Sequence, residues 1–217
     1  METARQRDAA GLVVAGVVNT LLAPVVAGLV LGPGMPAGGG DAVARAAWIS
    51  ANAAVWQAGW AFWLVVTLTF AWSYLCIAPH LAGRGLATLG MAAAIAALAV
   101  DLVGITVALV VTPSVASGAG AYPELFVAAD SLAHALVSGV SFGVYSLAGL
   151  LLAGAARGTH GYPGRLAVLG WVLWGCSAVA AVLLGPVPAL ASPLLLVGIL
   201  LYGPWAWWNA RWVLQGR

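Results

Sequence analysis

Trp56, Trp60 and Trp63 fall at i, i+4 and i+7 in one apolar stretch, so they share a helix face. Tryptophan at headgroup depth is ordinary. At a rise of 1.5 Å per residue, however, Trp60 and Trp63 sit roughly 6 and 10 Å further along the axis than Trp56. Indole faces attract cations through the ring quadrupole. The spacing therefore predicts one wall of an aromatic cavity inside the protein. Asn52 lies four residues before Trp56 and adds an amide to the same face; Gln57 is one position off it.

Such a wall calls for an acid or a counter-ion opposite. Asp101 lies deep in another apolar segment, with no basic residue near it in sequence. Ionisable groups in lipid are costly and face a bundle interior or a wet cavity. A carboxylic acid there is a candidate proton donor or ligand contact. Asp130 and His134 stand at i and i+4, where a carboxylate orients an imidazole, and read as an acid/base pair. Glu124 follows Pro123 and reads as a solvated helix-start residue, and His80 and His160 read as solvated loop residues. Trp205, Trp208 and Trp212 near the chain end read first as belt anchors, but they share a face, so some can line the inner end of the same cavity. Trp171, Trp174 and Trp207 read as belt anchors. Cys76 and Cys176 read as small buried hydrophobes.

Several chemistries have no residues to carry them. The chain lacks an Asp-Asp-x-x-Asp run for magnesium-diphosphate ionisation, a glycine-rich phosphate loop, a zinc motif and a row of intramembrane arginines. Three scattered histidines have no ligand spacing, so neither a metal nor a cofactor is expected.

The elements that position these residues follow from composition. The 217 residues are 63% hydrophobic and 6% charged, against about 25% charged in a soluble domain. With a mean hydropathy of +1.03, this reads as an integral membrane protein. All eight basic residues are arginine and are spread over loops, so the net charge of +2 does not point to nucleic acid, and no nucleic-acid partner is expected. Six apolar segments, near 11–31, 48–77, 86–111, 125–153, 166–184 and 193–213, predict an all-α bundle of six transmembrane helices forming one domain, 1–217. Gly32 to Gly40 and the prolines Pro186 and Pro188 mark loops. If Met1 lies in the cytoplasm, Arg5, Arg7, Arg84, Arg157, Arg165, Arg211 and Arg217 share that side and Arg45 alone lies outside. The positive-inside bias then places both termini in the cytoplasm, in a bacterial cytoplasmic membrane.

Two resemblances accompany this layout. Gly161-Tyr162-Pro163-Gly164-Arg165 resembles a loop in a family of uncharacterised bacterial six-helix membrane proteins, which implies no function. The chain length, and a last helix opening at Ser192-Pro193-Leu194 and closing with Trp212 and Arg217, resemble the small integral-membrane terpene cyclases of meroterpenoid and indole-terpenoid (drimentine-type) pathways. That family's last-helix acid has no counterpart among Tyr202, Gly203 and their neighbours, and its early Trp-Glu pair is Trp72-Ser73 here. No catalytic residue is carried over.

The residues thus point to a metal-independent membrane cyclase for a prenyl chain. Asp101 and Asp130 are the candidate acids, His134 or a water the final base, and Trp56, Trp60 and Trp63 the carbocation wall. The alternative is a non-enzymatic binding protein or small transporter for a lipophilic or cationic compound, with Asp101 as counter-ion. A structural subunit whose tryptophans pack against a partner is a third reading. Convergence of Asp101, Asp130 and the Trp56 face on one cavity separates the first two from the last.

Overall fold

A computed structural model describes residues 2–36, 41–184 and 188–216, without the side chains of 188, 189 and 192. The glycines 38–40, Pro186 and Arg217 lie outside the described residues, as does the side chain of Ser192. Among the described residues every regular element is helical. In chain order these are α1 (Glu2–Gly34), α2 (Ala42–Ala51), α3 (Ala53–His80), α4 (Arg84–Ala116), α5 (Pro123–Arg157), α6 (Gly164–Leu183) and α7 (Pro188–Gln215). Five of them, α1, α3, α4, α5 and α6, are long and apolar enough to cross a membrane. The bundle exterior is rich in bare aliphatic side chains, with Leu29 80% and Val182 74% exposed.

The segment expected as one helix over 48–77 is two. The Asp41 carboxylate accepts from the Ala44 N–H at 2.6 Å and starts α2. Asn52, at φ −121° and ψ 33°, then breaks the helical path. The break lets Arg45, Ala46 and Ile49 face the bundle. A continuous helix would have carried them along the axis of α3.

Three long helices contain wide π-type turns: Val18–Leu22 and Val26–Leu31 in α1, Val107–Val111 in α4, and Ala135–Ser141 in α5. Pro24 and Pro113 stand beside those of α1 and α4. Proline lacks an N–H and its ring crowds the carbonyl four residues back, so the ladder widens around it. In α5 the widening coincides with Gly139 and with Ser141, whose hydroxyl donates to the Val137 carbonyl at 2.6 Å.

Both ends of the described chain lie at one end of the bundle, where the Arg5 guanidinium rests against Gly216. The connections α3–α4 and α5–α6 meet there too, through the Ala82 N–H donating to Thr159 Oγ1 at 2.8 Å. His80 is not a solvated loop residue. Its Nε2 lies 3.0 Å from Asp8 Oδ2, with the side chain 17% exposed, and ties α3 to α1. His160 is exposed, as expected. Burial holds the Tyr162 phenol above the ordinary tyrosine range, while its bond to Asn209 Oδ1 at 2.8 Å pulls the other way.

Two large apolar clusters fill the bundle. The one nearer the chain ends contains Tyr74, Tyr145, Trp174, Tyr202 and Trp205. The far-end cluster contains Leu31, Ile49, Trp56, Trp60 and Phe126. A cavity lies between them.

Candidate functional site

The stripe that begins at Trp56 positions one side of the site. Trp56 and Trp60 meet edge to face with centroids 5.8 Å apart, and Trp60 and Trp63 do the same at 6.3 Å. The three indoles therefore stack as the spacing predicted. Only Trp63 reaches the cavity. Trp56 is fully buried in the far-end cluster, and its Nε1 donates to the Ala108 carbonyl at 2.7 Å. A Cβ on Gly34 would come within 2.6 Å of that ring, so the end of α1 closes over it. Trp60 is 1% exposed in the same cluster. These two are packing residues, and the cation-binding wall expected of all three narrows to Trp63.

Past Trp63 the same face of α3 continues through Thr67 and Phe70, and both line the cavity. Its volume is about 260 Å³. That lies just under the ~300–1,000 Å³ usual for small-molecule sites. Asp101, near the middle of α4, lines it as well. The Thr67 hydroxyl donates to Asp101 Oδ2 at 2.8 Å, while Oδ1 has no hydrogen-bond partner among the described residues. Among the described residues no arginine, lysine or histidine lines the cavity.

The aromatic surface comes mostly from residues the sequence reading did not single out. Phe70 meets Tyr145 at 5.0 Å and 87°, Trp174 at 5.9 Å and 69°, and Tyr202 at 5.0 Å and 35°. Trp174, read from sequence as a belt anchor, is 1% exposed and sits in this box. It fits because Gly149 offers no Cβ, which would stand 2.1 Å from the indole. Ser138, Ser141 and Tyr145 reach the cavity from α5 at i, i+3 and i+7, and the wide turn carries the first two. Tyr202 is fixed by its hydroxyl donating to Ser73 Oγ at 2.8 Å. A period-of-four reading of α3 beyond Trp63, and of α5 around Ser141, would have found Thr67, Phe70 and Tyr145.

On one flank the cavity meets the bundle surface. Up to Leu22 the α1 helix packs on both α7 and α3, and over Val26–Leu31 it packs on α3. Pro24, exposed on the exterior, lines the cavity there, as does Leu195 of α7.

Asp130 and His134 are elsewhere. Asp130 forms a buried ion pair with Arg45, their side chains being 7% and 9% exposed. Arg45 also donates through Nε to the Gly34 carbonyl at 3.0 Å, and its guanidinium lies 5.7 Å above the Phe126 ring. His134 Nδ1 is 2.9 Å from the Asp130 carbonyl oxygen, and Nε2 is 3.3 Å from Met35 Sδ. This group ties α2 and the end of α1 to α5, and none of its members lines the cavity. The expected pairing of Asp130 and His134 is present, at 3.4 Å between Nδ1 and Oδ1, but Asp101 and Asp130 do not converge.

The remaining sequence candidates also lie off the cavity. The Asn52 amide donates to the Trp48 carbonyl at 2.9 Å, and the exposed Gln57 to the Leu109 carbonyl at 3.4 Å. Trp205 stands behind Trp174, edge to face at 5.4 Å. Trp208 faces outward, 51% exposed. Among the described residues no three His, Cys, Asp or Glu side chains gather as metal ligands. Cys76 is buried, Cys176 half-buried, and both are free. No protein-family description, no curated protein and no solved structure matches this chain.

Proposed function

We propose that the protein is a six-span integral membrane enzyme that cyclises a lipophilic prenyl chain without a metal, with Asp101 as the acid. The observation that carries this reading is an aromatic cavity on whose wall, among the described residues, one carboxyl stands with no cationic side chain. Arginines gathered at the end of the bundle that holds both termini support cytoplasmic termini in a bacterial membrane.

In this reaction the Asp101 proton forms a C–H bond at one alkene carbon and leaves a cation on its neighbour. A second alkene closes the ring with its π electrons. The faces of Trp63, Phe70 and Tyr145 stabilise the travelling charge. Asp101, now a carboxylate, removes a proton from an adjacent carbon. The product is an isomer of the substrate, and the acid is regenerated. Asp130 and His134 take no part, because the ion pair with Arg45 holds them at the far end. The flank at Pro24 supports entry from the bilayer.

Purified protein in lipid nanodiscs, given acyclic prenyl substrates in EDTA, is expected to yield cyclic isomers by gas chromatography–mass spectrometry. Absence of any cyclic product from wild-type protein overturns the reading. The Asp101 carboxyl, with no cationic side chain beside it among the described residues, also suits a lipophilic cation, which favours a binding protein as the second reading. Tight binding of a long-chain quaternary ammonium, with no cyclic product, would establish that one instead.

A further inference from the structure

The geometry points to a second site, away from the cavity: His134 Nε2 and Met35 Sδ together hold one soft monovalent cation, Cu(I). This site is independent of the cyclase reading, because neither residue lines the cavity.

Protons and lone pairs carry the inference. His134 Nδ1 is 2.9 Å from the Asp130 carbonyl oxygen, and Nε2 is 3.3 Å from the Met35 sulfur. A carbonyl oxygen and a thioether sulfur can only accept, and a neutral imidazole carries a single N–H. Whichever nitrogen bears the proton, the other turns a bare lone pair towards a second lone pair. The carbonyl is the stronger acceptor, so the proton belongs on Nδ1. Nε2 then faces the sulfur lone pair to lone pair, and a cation bound to both turns that repulsion into attraction.

The donors choose the cation. Thioether sulfur is a soft ligand that selects Cu(I), and imidazole suits copper as well. Zn(II) takes about four ligands, and among the described residues no three His, Cys, Asp or Glu side chains gather to supply them. A proton on Nε2 would also bring positive charge, but it would spend a charged donor on a weak acceptor.

The surroundings are those of a metal-bound histidine, which almost always anchors its other N–H on a carbonyl or carboxylate. His134 has both, the Asp130 carbonyl and, at 3.4 Å, Asp130 Oδ1. Arg45 in turn pairs with Asp130 and donates to the carbonyl of Gly34, the residue before Met35. One ligand is thereby fixed on α5 and the other just past the end of α1. The His134 side chain is 19% exposed and Met35 is half-buried, so an ion can reach both. The two residues stand 99 apart in the chain, which is why no ligand spacing announced them.

The test uses the full chain in nanodiscs, with Cys76→Ala and Cys176→Ala to remove the free thiols. Cu(I) is titrated anaerobically against a chromophoric chelator. One equivalent is expected to bind, with nitrogen and sulfur neighbours in its X-ray absorption spectrum, and Zn(II) is expected not to displace it. Met35→Leu conserves volume and deletes the sulfur. His134→Gln deletes the imidazole. Each is expected to weaken binding at least about a hundredfold, since an outer-shell change alone costs about 10–100-fold. Copper that fails to compete with the chelator, lacks a sulfur neighbour, or binds both variants as tightly as the parent overturns the proposal. So does a nitrogen-15 spectrum with protons on both His134 nitrogens that copper leaves unchanged.

Discussion

Thr67 and Asp101 face each other across the α3–α4 contact, and the threonine hydroxyl donates to Oδ2 at 2.8 Å. That bond orients the carboxyl and leaves Oδ1 unpartnered beside the cavity. Both residues are nearly fully buried, at 3% and 4% exposure, so losing either partner is felt by the other. Thr67→Val keeps the shape and deletes the donor. Leaving a buried acceptor short of its bond costs about 1–3 kcal/mol. A drop in thermal midpoint in detergent, together with reduced turnover, is the expected result. Thr67→Ser restores both.

Asp101→Asn separates acid chemistry from folding. The amide still accepts from Thr67 and fills the same volume. A positioned general acid contributes about 10²–10⁴ in rate. The variant is expected to keep its thermal midpoint and to lose cyclisation by at least about a hundredfold. Full activity in Asp101→Asn assigns the proton to another group.

The buried pair at the far end makes the opposite prediction. Arg45 and Asp130 desolvate each other, so removing one leaves a buried charge alone, at about 3–5 kcal/mol. Arg45→Met or Asp130→Leu alone should lower stability by that order, measured by chemical denaturation in detergent micelles. The double variant should recover most of the loss, because a well-packed apolar pair replaces an ion pair at little net cost. Ligand binding in the double variant should stay near wild type, since neither residue lines the cavity.

These contrasts show what the sequence made legible. The apolar segments and the stacking of Trp56, Trp60 and Trp63 rest on local periodicity, which one chain displays directly. Asp101 stood out because a carboxyl in an apolar run is costly wherever it sits. Asp130 looked equivalent on the same ground. Its partner Arg45 lies 85 residues earlier, on a helix that the break at Asn52 turns inward. No local pattern announces that contact. Trp174 was hidden for a related reason: its position near one end of an apolar segment suggested the membrane surface, while the missing Cβ of Gly149 on another helix draws it inward. The aromatic box is thus a product of helix packing, assembled from α3, α5, α6 and α7.

The Gly149–Trp174 contact gives the last prediction. Gly149 is in α5, and a methyl group there would stand 2.1 Å from the Trp174 ring. The indole is hemmed in by Tyr74 at 5.4 Å and Trp205 at 5.4 Å, so it has no easy retreat. Gly149→Ala must therefore displace the ring or spread α5 from α6. Overpacking of this kind costs about 1–3 kcal/mol. It also moves the Trp174 ring, one wall of the cavity. A lowered thermal midpoint and an altered near-ultraviolet circular dichroism spectrum are expected together. Combining it with Trp174→Phe, which trims the ring that clashes, should restore the midpoint; a midpoint that stays low in the double variant would show that the clash is not with that ring.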